Sequence, residues 1–212
     1  ERKKMHQTRS KANKNLPIPR KGTKYVARQL SHVNSSVSVL LAVRDMLGLA
    51  KTAKEVNEMI KQKLLKLNGR EVKDERESIK LFNILNAGKS YVLKIKETGK
   101  YFLEEAKDKD ERAVKIINKV MLKNGQIQFN LHDGTNILSK DAFNIGDTLF
   151  LDSSSKVKKH IKFGEGKDCF IFSGKYQGLN GKISSFKNNL IFVNIEGKND
   201  LVKLEKRCLI VL

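Results

Sequence analysis

Apolar residues recur at helical spacing between residues 39 and 47, and Gly48 follows at a position where a helix would end. A second helix is predicted to begin after Thr52, because a threonine followed three residues later by Glu55 forms a capping box. Apolar side chains then recur on one face as far as residue 60. The pattern therefore predicts two short helices joined as an αα-hairpin.

From residue 64 onward, apolar positions alternate with polar ones over much of the chain, which is the period of strands. Asn-Gly, Thr-Gly and Asp-Gly pairs separate the alternating stretches and predict tight turns. These pairs lie at residues 68–69, 98–99, 124–125 and 133–134. Residues 105–119 interrupt the pattern with a run of charges, which predicts a short helix or a solvated connection. The last part alternates turns and short strands at the spacing of a small barrel.

The first 36 residues, called the N-terminal arm below, show neither period and contain both prolines, Pro17 and Pro19. Such a segment is predicted to bury too little apolar surface to order itself, and to order along an RNA backbone instead. The prolines stiffen an extended stretch that would hold Arg20, Lys21 and Lys24 against phosphates. An unstructured, solvated tail is the alternative.

Positive charge dominates the composition. The 212 residues include 43 lysines and arginines against 23 acidic residues, which gives a net charge of +20 and a pI near 9.9. Residues 1–36 hold ten basic residues and one acidic residue, and residues 153–212 hold twelve and five, whereas residues 87–152 are nearly balanced. Self-repulsion on this scale favours a polyanionic partner, and nucleic acid is the expected one. A basic membrane-surface protein is the competing interpretation, but no long apolar run or strongly amphipathic basic helix supports it.

No constellation of residues indicates catalysis. The four histidines lie in separate segments without metal-ligand spacing, and the "GEGK" at 164–167 is interpreted as a hairpin turn. Asp133 beside His132 is the most enzyme-like residue, but Asp-Gly is itself a turn signal. Cys169 and Cys208 are interpreted as buried apolar residues of a reduced, intracellular protein. We therefore expect no enzyme activity, no cofactor, no metal site and no small-molecule substrate.

Cations cluster around the predicted helices. Lys51 and Lys54 flank the start of the second helix, where free N–H groups already favour an anion, so two added cations suit a bound phosphate. Arg44 lies on the preceding helix, and more lysines follow the second one. A solvated face is the alternative, because acidic residues are interspersed. Phenylalanine and tyrosine total only 14, so we expect phosphate and shape contacts rather than base stacking to dominate.

The stretch "VLLAVRDMLGLAKTAKEVNEMIKQKLLKLNGREVKD" resembles the S-four RNA-binding domain. That domain has a helix, a G-L-A turn, a second helix opened by Ser or Thr, and a hairpin with N-G at its turn. Thr52 and Lys54 stand where it usually has Ser and Arg, whereas its common opening Arg-x-Asp is not evident here.

Residues 172–186, "FSGKYQGLNGKISSF", resemble a KOW motif, the strand-loop-strand core of a small SH3-like barrel found in ribosomal proteins and transcription elongation factors. The resemblance implies that Gly174, Gly178 and Gly181 let the backbone bend and let RNA approach without an intervening side chain. It also implies that Lys175 and Lys182 face phosphate. Loop punctuation by the three glycines is the alternative.

These two stretches, together with "PIPRKGTKYV", "FNLHDGTN" and "GDT", resemble the small-subunit ribosomal protein S-four-e family of archaea and eukaryotes across nearly the whole chain. The resemblance implies a structural constituent of the small ribosomal subunit that binds ribosomal RNA and supports translation. It implies a cytoplasmic, ribosomal location, with ribosomal RNA and neighbouring small-subunit proteins as partners and no membrane. Two rivals stay open: a KOW-containing transcription or translation factor, and an RNA-modifying enzyme with an S-four-like targeting domain.

The expected fold class is α+β, with an S-four-like domain of two helices plus a hairpin, a central β domain and a C-terminal SH3-like barrel of the KOW type. The expected segments are an extended basic arm at 1–36, the S-four-like domain at 37–104, the central β-rich domain at 105–160 and the KOW barrel at 161–212. The candidate RNA-binding residues are cations, a helix-capping threonine and the glycines of the KOW-like stretch. They are Arg2, Lys3, Lys4, Arg9, Lys11, Lys14, Arg20, Lys21, Lys24, Arg28, Arg44, Lys51, Thr52, Lys54, Lys61, Lys63, Lys66, Arg70, Gly174, Lys175, Gly178, Gly181 and Lys182.

Overall fold

The computed structural model describes residues 7–106, 111–123, 125–187, 190–195 and 201–212. These residues are mostly β structure with few helices, and they form two compact units. The first unit falls within Glu1–Ile95 and Gly99–Asp110, and the second within Lys96–Thr98 and Glu111–Leu212. The expected mixture of helices and strands is therefore confirmed in its coarse form.

Both predicted helices form in the first unit. The first, α1 (Val39–Leu41), is capped by the Ser38 hydroxyl oxygen, which accepts the N–H of the third helical residue at 3.3 Å, and it continues as a π-helical turn over Ala42–Met46. Gly48 follows at φ +67°, a left-handed conformation that ends helices and that glycine adopts without strain. The second helix, α2, spans Ala53–Lys61. Within the described ranges no helix combines the length and apolarity needed to cross a membrane.

The strands of the first unit pair antiparallel in short ribbons and one larger sheet. They are β1 (Gln7–Thr8), β2 (Tyr25–Val26), β3 (Val37–Ser38), β4 (Leu65–Leu67), β5 (Arg70–Glu71), β6 (Ser78–Ile79), β7 (Ile84–Ala87), β8 (Lys89–Ile95) and β9 (Tyr101–Glu105). The larger sheet has the order β5-β4-β7-β8-β9, while β1 pairs with β2 and β3 with β6. Asn68 and Gly69 turn the chain between β4 and β5 at φ +50° and +83°, which confirms the predicted tight turn.

The described part of the N-terminal arm is ordered on the first unit, contrary to the expectation that it orders only along RNA. Leu16 is fully buried. The Tyr101 N–H donates to the Asn15 carbonyl oxygen at 2.9 Å, and Lys100 Nζ donates to the Leu16 carbonyl oxygen at 3.0 Å. The expectation failed because it weighed only the apolar content of the arm, whereas the arm packs against the start of β9, some 85 residues away along the chain.

The second unit consists of two five-stranded antiparallel sheets. Its strands are β10 (Arg112–Met121), β11 (Ile127–Leu131), β12 (Asn136–Ser139), β13 (Thr148–Leu151), β14 (Val157–Ile161), β15 (Asp168–Ile171), β16 (Asn180–Lys187), β17 (Leu190–Ile195), β18 (Leu201–Glu205) and β19 (Leu209–Val211). The central sheet has the order β12-β11-β10-β13-β14, and the C-terminal sheet has the order β18-β17-β16-β15-β19. Single-turn 3₁₀ helices lie at Arg9–Lys11 in the first unit and at Lys206–Cys208 in the second.

Strand β10 corrects the prediction of a helix or solvated connection over residues 105–119. Val114 and Ile116 are buried in the core of the central sheet, and Arg112 and Lys115 are themselves only 4% exposed. Charge misled the sequence interpretation, because these two cations have buried partners instead of solvent.

Each sheet of the second unit has its own apolar core. Phe129 and Phe143 meet edge to face at a centroid distance of 5.3 Å in the central core, beside residues of β10 and β13. The C-terminal core includes Ile171, Val193 and Cys169, which is 2% exposed. Burial and nearby Asp168 raise the pKa of Cys169 to about 11, so its thiol stays protonated and acts as an apolar residue, as predicted. Cys208 is only partly buried, so the same prediction is wrong for Cys208.

A buried lysine joins the two sheets of the second unit. Lys115 on β10 donates from Nζ to the Leu209 carbonyl oxygen at 2.6 Å and also to the Lys206 carbonyl oxygen, both from the C-terminal sheet region. Its Nζ lies 5.8 Å from the centroid of the Phe172 ring. Burial, followed by the charge of Lys206, lowers the pKa of Lys115 to about 8, against an opposing effect of Cys208.

Candidate nucleic-acid interface

Solvent exposure separates the predicted RNA-binding residues into three groups. Arg9, Arg28 and Arg44 are partly buried, and Arg2, Lys3 and Lys4 lie outside the described residues. The other predicted cations are exposed. They are Lys11, Lys14, Arg20, Lys21, Lys24, Lys51, Lys54, Lys61, Lys63, Lys66, Arg70, Lys175 and Lys182. A phosphate backbone could therefore reach most of the predicted cations without any rearrangement of the chain.

Arg9 is turned toward its own chain. Its Nε donates to the Thr23 carbonyl oxygen at 2.8 Å, its Nη1 to the Pro19 carbonyl oxygen at 2.5 Å, and its Nη2 to Thr23 Oγ1 at 3.1 Å. A Cβ atom at Gly22 would lie only 2.8 Å from Arg9 Nη2, so glycine makes room for this guanidinium. Arg9 thus folds the arm into a loop, a role that a count of cations does not indicate.

The start of α2 already holds an anion. Thr52 Oγ1 accepts the Glu55 N–H at 3.3 Å, as the capping box predicts. The Glu55 carboxylate in turn accepts the Lys51 N–H at 2.7 Å and the Thr52 hydroxyl at 3.0 Å, and these hydrogen bonds lower the pKa of Glu55. The Glu55 carboxylate would repel a phosphate placed at this helix end. The structure therefore favours the exposed side chains of Lys51 and Lys54, rather than the backbone N–H groups of the helix end, as phosphate contacts.

Several cations of the first unit have carboxylate partners. Arg44 makes a two-point contact with Asp45, whose oxygens lie 2.9 and 2.7 Å from Nε and Nη2. Similar pairs hold Lys61, Lys63 and Arg70, and their partners are Glu58 at 3.5 Å, Glu71 at 3.3 Å and Glu77 at 2.5 Å. The interspersed acidic residues therefore neutralise part of the cationic face, as the alternative interpretation required.

The three glycines of the KOW-like stretch differ in what surrounds them. Gly174 has φ +94°, and a Cβ there would have no neighbour within 4 Å, so its backbone is open. A Cβ at Gly181 would lie 2.6 Å from the Val193 side chain, and one at Gly178, at φ +88°, would overlap the Lys96 carbonyl group. Gly178 and Gly181 are therefore required by close packing of protein backbone, and Gly174 alone of the three leaves room for RNA.

Lysines of the second unit lie over aromatic rings. Lys159 Nζ lies 5.5 Å from the Phe150 ring centroid, on neighbouring strands β14 and β13, and Lys175 Nζ lies 5.7 Å from that of Tyr176. Such contacts hold the side chain in place while its charge remains available.

Sequence reasoning missed the exposed cations of β14 and the loops around it. Lys158 and Lys159 lie on β14, the edge strand of the central sheet, and Lys156 directly precedes it. Lys162 and Lys167 lie in the loop to β15. The signal was present as the run "KVKKHIK" at 156–162. Edge-strand lysines also prevent pairing with other chains, so they suit both solubility and phosphate binding.

The residues with the most catalytic character have structural roles. Asp133 Oδ1 accepts the Thr135 N–H at 2.9 Å and the Thr135 hydroxyl at 2.7 Å, which confirms the turn interpretation. Its Oδ2 lies 2.8 Å from Arg112 Nη1, and both side chains are almost completely buried, although the pair is not oriented as a hydrogen bond. Burial lowers the pKa of Arg112 and the Asp133 charge opposes that shift.

His160 also has a buried partner. Its Nε2 lies 2.8 Å from Asp147 Oδ2, and Asp147 Oδ1 accepts the Phe163 N–H at 2.9 Å. Burial opposes ionisation of Asp147, but the hydrogen bonds from Phe163, His160 and Asn144 outweigh it, so the pKa of Asp147 lies below its usual value. In the described ranges no group of His, Cys, Asp and Glu side chains has the geometry to hold a metal ion.

Fold and exposed charge together define a basic, mostly β protein with a surface suited to an anionic polymer. A protein-family model described as ribosomal family S4e matches residues 87–157. The chain is 33% identical to small ribosomal subunit protein eS4 of Archaeoglobus fulgidus over 98% of its length and 93% of that protein, and 33% identical to the eS4 of Methanococcus aeolicus over 90% and 84%. The chain belongs to the S4e family of ribosomal proteins.

The fold agrees with a solved member of that family. The crystal structure of 30S ribosomal protein S4e from Thermoplasma acidophilum matches with a TM-score of 0.71 at 22% identity, covering 84% of this chain and 95% of that one. This similarity supports the fold.

Proposed function

We propose that this protein is a structural constituent of the small ribosomal subunit, located on cytoplasmic ribosomes, that binds ribosomal RNA through phosphate and shape contacts and supports translation. Membership of the S4e family over nearly the whole chain is the observation on which this depends. The exposed cations support it, because a chain of net charge +20 needs a polyanion to relieve self-repulsion. Neighbouring small-subunit proteins are further proposed partners, and no catalytic step is assigned to the chain.

We also propose the finer division of the chain that the sequence predicted. Helices α1 and α2 followed by the β4–β5 hairpin support an S-four-like RNA-binding domain at 37–104. The five strands β15 to β19 support an SH3-like barrel of the KOW type at 161–212, after a central domain at 105–160. In this proposal the arm at 1–36 contributes phosphate contacts from the surface of the first unit.

The proposed phosphate contacts are the exposed predicted cations other than Lys61, Lys63 and Arg70, which are paired with carboxylates. The structure adds Lys156, Lys159, Lys162 and Lys167. Arg9 and Thr52 are better explained by the hydrogen bonds they make within the chain. We assign the arm and the second unit the larger share of phosphate binding, because their cations have fewer carboxylates in the neighbouring sequence.

Salt dependence of RNA binding tests this proposal. Purified protein would be titrated onto small-subunit ribosomal RNA from an archaeal relative at several salt concentrations, with a nearly neutral mutant as control. With about 6–10 phosphates neutralised, affinity should fall by about 10³–10⁵ between 50 and 200 mM salt. Binding that is absent at modest ionic strength, or insensitive to salt, would contradict it.

Sedimentation separates a ribosomal constituent from the rival functions. A constituent is expected to stay with small subunits through a high-salt wash, whereas a transient factor would come off. Incubation of the pure protein with ribosomal RNA should leave the bases unmodified, and modified bases would revive an RNA-modifying enzyme.

A further inference from the structure

Two phenylalanines meet at one end of the C-terminal sheet. Phe163 lies in the loop between β14 and β15, Phe186 lies near the end of β16, and their ring centroids are 5.7 Å apart at an interplanar angle of 59°. Phe186 is 46% exposed, although Ile191, its partner across the hairpin, is 1% exposed. The Phe186 ring thus extends the apolar face of the sheet beyond its core and keeps much of its surface in water.

One cation contacts this aromatic pair, and two more lie in the loop that carries Phe163. Lys206 Nζ lies 4.5 Å from the Phe163 ring centroid. Lys162 and Lys167 are exposed in the same loop as Phe163. Glu165 and Asp168 are opposing charges: Glu165 Oε1 accepts the Phe186 N–H at 3.4 Å, and the exposed Asp168 directly follows Lys167.

The backbone of the 162–167 loop is open to an approaching ligand. A Cβ at Gly164 or at Gly166 would have no neighbour within 4 Å. The loop is nevertheless fixed to β16, because the Gly166 N–H donates to the Ile183 carbonyl oxygen at 2.8 Å and the Ile183 N–H donates to the Lys167 carbonyl oxygen at 2.9 Å. Rings, cations and accessible backbone therefore come together on a rigid support.

We propose that Phe186, supported by Phe163 and Lys206, stacks one unpaired RNA base, while Lys162 and Lys167 contact the adjoining phosphates. This inference rests on the proposed function and adds a base-stacking site to the phosphate contacts. A simple anion would contact the lysines but not the exposed ring, and an apolar protein segment would contact the ring but give the lysines no negative charge. A nucleotide satisfies both, because aromatic side chains stack on bases and cations follow the backbone. Twelve basic against five acidic residues in 153–212 also favour RNA.

The chain lacks tryptophan, so one introduced tryptophan reports on its own site. Phe186→Trp places the reporter in the proposed stack. Phe192→Trp is the matched control, because Phe192 is a part-exposed phenylalanine of the same hairpin. Phe186 pairs with Ile191 and Phe192 with Ser185, so the two phenylalanines lie on opposite faces of the hairpin. A short oligoadenylate is the probe, and its affinity is measured separately from the anisotropy of a labelled copy.

Oligoadenylate is expected to quench the fluorescence of Phe186→Trp strongly and that of Phe192→Trp weakly. Full binding with an unquenched Phe186→Trp, or equal quenching of both reporters, would overturn the stacking site and leave the proposed function intact. If the unmodified chain binds neither oligoadenylate nor ribosomal RNA, the proposed function and the stacking site are both overturned.

Affinity provides the second readout. Phe186→Leu keeps an apolar side chain on the sheet but removes the ring, and it should weaken oligoadenylate binding about 5- to 150-fold, which is the usual range for loss of one base–aromatic stack. Phe186→Tyr should bind like the unmodified chain, and Glu165→Gln should bind more tightly. Equal losses of oligoadenylate affinity in Phe186→Leu and Phe186→Tyr would overturn the site. So would a loss of affinity in Phe186→Leu that is as large for a fully paired RNA duplex as for oligoadenylate, because a duplex offers no splayed base.

Discussion

Two lysines, one in each unit of the molecule, lie beside different partners. In the first unit Lys63 forms an ion pair with Glu71, with Nζ 3.3 Å from the carboxylate. In the second unit Lys159 lies over the ring of Phe150. Both lysines are exposed, and both look equivalent in a count of charges.

The difference matters for binding an anionic polymer. A lysine paired with a carboxylate brings a nearly neutral pair to a phosphate, and the pair must open before the phosphate gains the full charge. A lysine over a ring keeps its full charge. Because the ring already restricts the rotamers of the lysine side chain, that side chain loses less conformational freedom when it binds a phosphate. Under the proposed function, we therefore expect local pairing, more than composition, to decide which cations contact phosphate.

Removal of one ion pair from each unit should give the largest contrast in stability. Arg112→Met is expected to lower the free energy of unfolding by about 3–5 kcal/mol, because it leaves the Asp133 carboxylate buried and uncompensated. Lys61→Met should change it by less than about 1 kcal/mol, because the Lys61–Glu58 pair is exposed. Urea denaturation of the two variants measures both values.

A double variant shows whether the unpaired charge causes that loss. Arg112→Met combined with Asp133→Asn removes both charges and keeps the Oδ1 acceptor for Thr135. It should recover part of the stability lost in Arg112→Met. A double variant less stable than the single one would assign the loss to packing of the arginine.

Lys115 should make the stability of the second unit depend on alkaline pH. Its pKa is lowered to about 8 in the folded chain against an ordinary value of 10.5, so between these values the unfolded chain binds more protons. The free energy of unfolding should therefore rise with pH over this interval, by up to about 3 kcal/mol relative to Lys115→Met. The neutral amine still has two donors for the Lys206 and Leu209 carbonyl oxygens.

Denaturation at pH 7, 8, 9 and 10 provides the measurement, with Lys115→Met as the reference that cancels other titrating groups. Lys206, Cys208 and His132 are the titratable neighbours that this comparison holds constant. A difference between the two proteins that stays flat across the interval would show that the pKa of Lys115 is not lowered.

Thr52→Ala should have a smaller effect, confined to the first unit. Loss of the α2 cap should cost about 1 kcal/mol of unfolding free energy, and Thr52→Ser should restore it. RNA affinity should not change, because the Thr52 hydroxyl is bonded to Glu55. A selective loss of RNA binding in a fully folded Thr52→Ala would return this residue to the interface.

Local signals predicted the two helices and the turn at 68–69 correctly because their causes are local, whereas the turn predicted at 124–125 lies partly outside the described residues. The capping box at Thr52 and the left-handed turn at Asn68 each depend on residues that are adjacent in sequence. The arm and β10 were misjudged because their order depends on partners far along the chain. Leu16 is buried against the region of Lys100. Arg112 has its partner, Asp133, in the turn after β11, and Lys115 has a partner, Leu209, in β19.

The candidate interface shows the same limit. Charge and motif identified the exposed lysines of the arm and of the KOW-like stretch. They did not reveal that Glu55 fills the start of α2 or that Gly178 and Gly181 face packed protein. Phe186 was passed over because its exposure depends on where the sheet's core ends.

The central claim is that cations without carboxylate partners neutralise the phosphates of ribosomal RNA. Two double variants remove equal charge: Lys159→Met with Lys175→Met, and Lys61→Met with Lys63→Met. The slope of the logarithm of affinity against the logarithm of salt concentration should fall by about 2 for the first, since each lost phosphate contact lowers it by about 1, and should hardly change for the second. Equal slopes for the two variants, or a larger change for Lys61→Met with Lys63→Met, would contradict the account.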